Sequence, residues 1–205
     1  MMLRDFKKCL LISGLAAVIL SAPAESYASQ FVDEKEGWYV GLHSGQMTFD
    51  DTSDIFLADF GLDDSYLTGV SFGKEVYEIS KNITLDFESQ FFKHFEGQSH
   101  EEYNLVAILK VKNLALLGNI SSSLSIGNGV SFASEVPSEE LRIQGADGSN
   151  DMLNYIMAEK AFKIPNQNYE ISFRYHHRSG VFGLYGGARE ASTAFLVGIK
   201  YNFDL

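Results

Sequence analysis

Cysteine occurs once in the 205 residues, as Cys9, inside an apolar stretch near the N-terminus. A disulfide framework, a thiolate metal site and a cysteine nucleophile are therefore excluded from the rest of the chain. Positive charge is also scarce, since 16 Lys and Arg stand against 27 Asp and Glu for a formal net charge of -11. A surface of that sign repels phosphate backbones, so nucleic acid is excluded as a partner. Proline appears three times, as Pro23, Pro137 and Pro165, each in a stretch that reads as a cleavage site, loop or turn. The apolar run Leu10 to Leu20 is too short for a spanning helix, which needs about 20 residues.

What is present begins with an export signal over residues 1–28. Arg4, Lys7 and Lys8 form its basic region, and the small residues Ser26-Tyr27-Ala28 or Ala22-Pro23-Ala24 offer cleavage after Ala28, the preferred site, or after Ala24. Cys9 leaves with this segment. So do three basic and two acidic side chains (Arg4, Lys7, Lys8; Asp5, Glu25), which makes the remaining chain one unit more acidic. Residues 29–205 are expected to form a single domain.

The informative stretch is Tyr169 to Phe203. Tyr169, Ile171, Phe173, Tyr175 and His177 alternate with Glu170, Ser172, Arg174, His176 and Arg178, which is the period of a strand. After a glycine-rich turn the pattern returns, with Thr193, Phe195, Val197, Ile199, Tyr201 and Phe203 opposed to Ser192, Ala194, Leu196, Gly198 and Lys200. One face is apolar and aromatic. The other carries charges that a soluble core does not tolerate without partners. Lipid outside and a polar lumen inside account for that inversion, so the predicted fold is all-β, an eight-stranded antiparallel transmembrane β-barrel in the outer membrane of a Gram-negative cell. The competing architecture is a secreted or periplasmic β-sandwich.

Eight segments fit the barrel: 38–49, 66–77, 83–94, 102–112, 119–126, 151–163, 169–179 and a last one ending near Phe203. Trp38-Tyr39 reads as an interfacial anchor on the periplasmic side. The even count puts both termini there, so outer loops fall at 50–64, 96–101, 127–150 and after Ser179. In the third strand Ile83, Leu85 and Phe87 point outward, with a shift before Phe91-Phe92, while Thr84, Asp86 and Glu88 face the lumen. In the sixth, Leu153, Tyr155, Met157 and Ala161 are assigned outward and Asn154, Ala158 and Lys160 inward. Arg174 is expected to pair with Glu170, Glu88 or Asp86. The acidic loop Asp50 to Asp64 lacks the spacing of a calcium loop. His94 and His100 have no third close ligand in sequence, so no metal or other cofactor is expected.

Chemistry gathers at the outer end of the seventh strand. His177 and Ser179 share the face of Phe173 and Tyr175, where an ionisable group toward lipid is itself a functional signal. One intervening residue on a strand sets them about 6–7 Å apart at the backbone, near enough for an imidazole to take a hydroxyl proton. The same spacing also fits a polar cluster at headgroup level.

The segment Arg174-Tyr175-His176-His177-Arg178-Ser179-Gly180, with the closing strand through Tyr201-Asn202-Phe203, resembles the PagL family of lipid A 3-O-deacylases, the acyloxyacyl hydrolase-like outer-membrane proteins. The resemblance implies an active site on the outside wall of the barrel, with a serine–histidine–glutamate triad that removes an ester-linked acyl chain from lipid A. It implies His177 as general base, Ser179 as nucleophile and Glu190 as the acid that holds the imidazole. Where the family has an asparagine after the serine, thought to help form the oxyanion hole, this chain has Gly180, whose backbone N–H and that of Gly183 are the remaining donors. Glu190 falls one position early, leaving Ala191 with the lipid-facing parity. Arg178 is a candidate contact for a lipid A phosphate. The implied partners are lipid A in the lipopolysaccharide of the outer leaflet and membrane lipid, and a homodimer is compatible with the sequence. The alternative function is a non-catalytic barrel of structural or adhesive role, working through its acidic outer loops.

Overall fold

The computed structural model describes residues 37–48, 54–55, 57, 59–117, 120–138, 140–141, 150–181, 185 and 192–204. The expected signal segment 1–28 lies outside the described residues. Eight strands follow one another: β1 Trp38–Thr48, β2 Ser65–Ser80, β3 Ile83–Glu96, β4 Glu101–Leu117, β5 Ile120–Ala133, β6 Met152–Lys163, β7 Tyr169–Ser179 and β8 Thr193–Phe203. Each pairs antiparallel with the next, and β8 returns to β1 through Trp38↔Phe203 to Thr48↔Thr193, so the sheet closes. Closure leaves no sheet edge to satisfy in lipid, the condition that a membrane-spanning β structure must meet.

The outer wall is apolar and uncovered, with Leu42 57%, Ile126 59% and Val197 55% exposed. At the periplasmic end Trp38 packs on Phe72 and Tyr201 on Phe203, the aromatic girdle that anchors such barrels at the lipid–water boundary. The lumen is the inverse. Its centre is the Arg174 guanidinium, which donates from Nε to Glu159 Oε2 at 2.8 Å and from Nη1 and Nη2 to the two carboxylate oxygens of Glu88 at 2.8 and 3.3 Å. Lys200 Nζ donates to the other Glu159 oxygen at 2.6 Å and lies 3.5 Å from Glu170. Lys110 pairs with Asp86. Two apolar groups share the lumen with this network, Met47 with Leu67, Phe92, Ala194 and Leu196, and Val106 with Ile108, Tyr155 and Met157. The interior is therefore packed rather than an open pore.

The alternation of β7 and β8 holds as read, and Glu88 is among the expected partners of Arg174. Three expectations change. In β6 the faces are reversed: Leu153, Tyr155, Met157 and Ala161 are buried inward, while Met152 and Ile156 look out. One residue decides this, because Glu159 must reach Arg174 and Lys200, and a period of two carries every neighbour with it. β3 keeps its register, so Phe92 turns inward and Phe91 and Phe95 outward with no shift. β5 runs on to Ala133 through what reads in sequence as a loop. A side chain at Gly129 would lie on the Leu105 carbonyl, and one at Gly127 against Met157 and Val106. Glycine here lets β4 and β6 fill the lumen and does not break the strand.

Arg174→Met leaves Glu88 and Glu159 buried against each other without their shared cation. The loss should be about 3–5 kcal/mol, read as a lowered urea midpoint of the refolded barrel, and an unchanged midpoint would show that the network is ornamental.

Candidate active site

β7 carries His177 and Ser179 to the extracellular rim, and the neighbouring strands complete their surroundings. Across the β7–β8 ladder His177 faces Thr193, and its Nδ1 lies 2.8 Å from Thr193 Oγ1. When Nδ1–H donates to that hydroxyl, Nε2 keeps its lone pair and is free to accept a proton. Across the β6–β7 ladder Ser179 faces Asn154. Directly opposed residues on one face have Cβ atoms about 4.5–5.5 Å apart, so the carboxamide stands beside the serine. Asn154 Oδ1 accepts from Asn128 Nδ2 at 3.3 Å, which turns the Asn154 NH2 group away from that bond.

An aromatic surface borders the pair. Tyr175 stacks on His177 with centroids 5.7 Å apart, Phe195 meets Tyr175 edge-on at 5.9 Å, and Phe60 stacks on Phe195 at 5.1 Å. Although Thr193 and Asn154 have outward parity, both are buried, at 2% and 6% exposure. The wall is thus recessed at this corner. Ser179 Oγ accepts from the Val181 N–H at 3.2 Å, and Val181 has a φ of 47°. A β-branched residue in the left-handed region stores about 1–3 kcal/mol of strain. That strain shapes the turn immediately after the serine.

The residues named from sequence separate into three groups. His177 and Ser179 share the outer wall as expected, though their hydrogen bonds run to Thr193 and from Val181 and not to each other. Gly180 follows them and is buried, while Gly183 and Glu190 lie outside the described residues. Arg178 is corrected. Its parity is lumenal, and its donors go to Glu140 Oε1 at 2.7 Å, Ser131 Oγ at 3.0 Å and the Asp151 carbonyl at 3.1 Å. A guanidinium so engaged inside the barrel is not offered to a phosphate outside it.

Three residues were not foreseen. Thr193 and Asn154 reach the site through the pairing of β7 with β8 and β6, so strand parity plus register was the signal. Glu102 is the third. It converges on His94 and His100, and donor atoms of all three lie within 4.8 Å of one another. The expectation that these histidines lack a third ligand is thereby overturned, since β4 folds straight back beside β3 after a turn of only residues 97–100.

An eight-stranded closed barrel with lipid-facing apolar walls and a polar lumen is the architecture of outer-membrane proteins of Gram-negative bacteria, and it places this chain there. Comparison with solved structures agrees. The outer membrane enzyme PagL matches with a TM-score of 0.54 at 15% identity, over 80% of this chain and 99% of that one. Neisserial surface protein A matches with a TM-score of 0.50 at 12% identity, over 82% and 97%. No family model and no curated protein sequence matches. At these identities the likeness is one of fold.

If Arg178 serves the lumen, Arg178→Met strands the buried Glu140 carboxylate and loosens the loop between β5 and β6. Limited proteolysis within 134–150 should accelerate about tenfold, the rate equivalent of about 1.4 kcal/mol, with the barrel still folded. Unchanged cleavage would return Arg178 to the outer surface.

Proposed function

We propose that this barrel is an ester hydrolase of the outer leaflet that removes a 3-O-linked acyl chain from lipid A. The observation that carries the reading is the His177–Thr193 bond on the lipid-facing wall, which orients an imidazole on the same face of β7 as Ser179. The resemblance of the β7 segment to the lipid A deacylases and the fold likeness to an outer membrane enzyme support it.

In this reading Ser179 Oγ attacks the ester carbonyl while His177 Nε2 takes its proton. The tetrahedral oxyanion collapses, the C–O bond to the sugar breaks, and His177 returns the proton to the departing hydroxyl. Water then attacks the acyl-serine, with the same imidazole as base, and releases the fatty acid. Thr193 holds Nδ1; Glu190 is the acid the resemblance assigns to that role. The side-chain donor that Gly180 lacks is supplied from the next strand by the Asn154 carboxamide, together with the backbone N–H of Gly180 and, in this scheme, Gly183. The aromatic strip of Tyr175, Phe195 and Phe60 lies against the acyl chains, so the scissile ester is presented at the rim without leaving the membrane. No metal or other cofactor enters the reaction.

A non-catalytic structural or adhesive barrel is the second reading, favoured by the partners His177 and Ser179 take in place of each other.

Mass spectrometry of lipid A from cells expressing the wild type or Ser179→Ala separates the two. Loss of one hydroxyacyl mass with the wild type alone is expected; identical spectra from folded, membrane-inserted proteins, on lipid A that carries the 3-O-acyl group, would favour the structural barrel. Among slower variants, Asn154→Ala should lower turnover about 10²-fold through loss of an oxyanion donor. Thr193→Val should lower it about tenfold, or about 1.4 kcal/mol. Wild-type turnover in the Asn154 variant would remove that residue from the site.

A further inference from the structure

We propose that His94, His100 and Glu102 form a binding site for a zinc-class divalent metal ion at the outer mouth of the lumen, separate from the serine site on the outside wall.

The site is built from the turn between β3 and β4. His94 N–H donates to the His100 carbonyl at 2.9 Å, and this closes the turn so that the two imidazoles stack with centroids 4.0 Å apart. His94 Nε2 lies 3.0 Å from Glu102 Oε2. Ligands at about 2.0–2.1 Å from a tetrahedral ion are separated by about 3.3 Å, so donor atoms already within 4.8 Å of one another need only a small contraction. All three residues are buried. The His100 ring carries a buried nitrogen, Nε2, without a hydrogen-bond partner, an unusual expense for an imidazole unless something else uses it.

The surrounding groups prepare the carboxylate. Glu102 Oε1 is held by Ser131 Oγ at 3.1 Å and by His176 Nε2 at 3.0 Å, and His176 Nδ1 lies 3.0 Å from the Tyr155 hydroxyl. Such outer partners fix a ligating carboxylate and leave its second oxygen, Oε2, directed at the histidines. The nearby Arg178 is matched by Glu140, so its charge is offset. Two imidazoles and one carboxylate suit zinc and its transition-metal neighbours. They do not suit calcium or magnesium, which favour all-oxygen sets. Three protein ligands leave one position open to water, and the ion would tie the short turn at β3–β4 to the lumenal network beneath it.

The test uses untagged protein purified from outer membranes, stripped with a chelator and titrated with Zn2+ by calorimetry and with Co2+ by visible absorption. One saturable equivalent per barrel is expected, with the intense d–d bands of low-coordinate Co2+ and no displacement by excess Ca2+. His100→Ala, a change at the end of the turn and not in a strand, should abolish saturable uptake while heat-modifiable migration on gels shows an intact barrel. His176→Gln should weaken binding about 10–100-fold. Failure of the wild type to bind either ion, or binding unchanged in His100→Ala, would overturn the assignment.

Discussion

A single cation shared between two carboxylates organises this barrel. Arg174 bridges Glu88 on β3 and Glu159 on β6 across the full width of the lumen, and Lys200 on β8 completes the charge balance at Glu159. Isolated in a low-dielectric interior, each of these groups is costly; together, with their hydrogen bonds filled, they fix which face of four strands points inward. Once those faces are set, the period of two sends the alternate residues to lipid. The apolar wall is thus a consequence of the lumenal network as much as of the hydrophobic effect.

The same alternation explains where chemistry is placed. On β7 the even residues Arg174, His176 and Arg178 turn into the lumen, each with a carboxylate partner: Glu88 and Glu159, Glu102, and Glu140. The odd residues continue an outward series that is apolar until it reaches His177 and Ser179. Two polar centres result, back to back across one strand. The outer one presents an imidazole and a hydroxyl to the leaflet. The inner one gathers histidines and a glutamate at the mouth.

How much of this was legible follows from how strongly each strand separates its faces. β7 sets polar and charged residues against an apolar, aromatic face and β8 repeats that outward apolar series, so parity, outward site residues and Arg174's lumenal role are legible directly. β6 mixes Asn154, Ala158 and Lys160 with Leu153, Tyr155 and Met157, and a count of apolar residues chose the wrong face. The decisive residue was Glu159, whose partners lie 15 and 41 positions away. β5 reads as ending early because Gly127 and Gly129 resemble loop residues, and only the bulk of β4 and β6 opposite them shows otherwise. Thr193, Asn154 and Glu102 were hidden for one reason. Each enters its cluster through inter-strand register, which neighbouring letters in the sequence do not encode.

In the proposed function, the nucleophilicity of Ser179 on the outside wall depends on His177. Covalent labelling of the folded barrel with a fluorophosphonate, followed by peptide mapping, tests it most directly. Modification at Ser179 is expected in the wild type and is lost in His177→Ala, with the barrel intact in both. A folded wild-type barrel that remains unlabelled, or labelling that persists at Ser179 without His177, would contradict it.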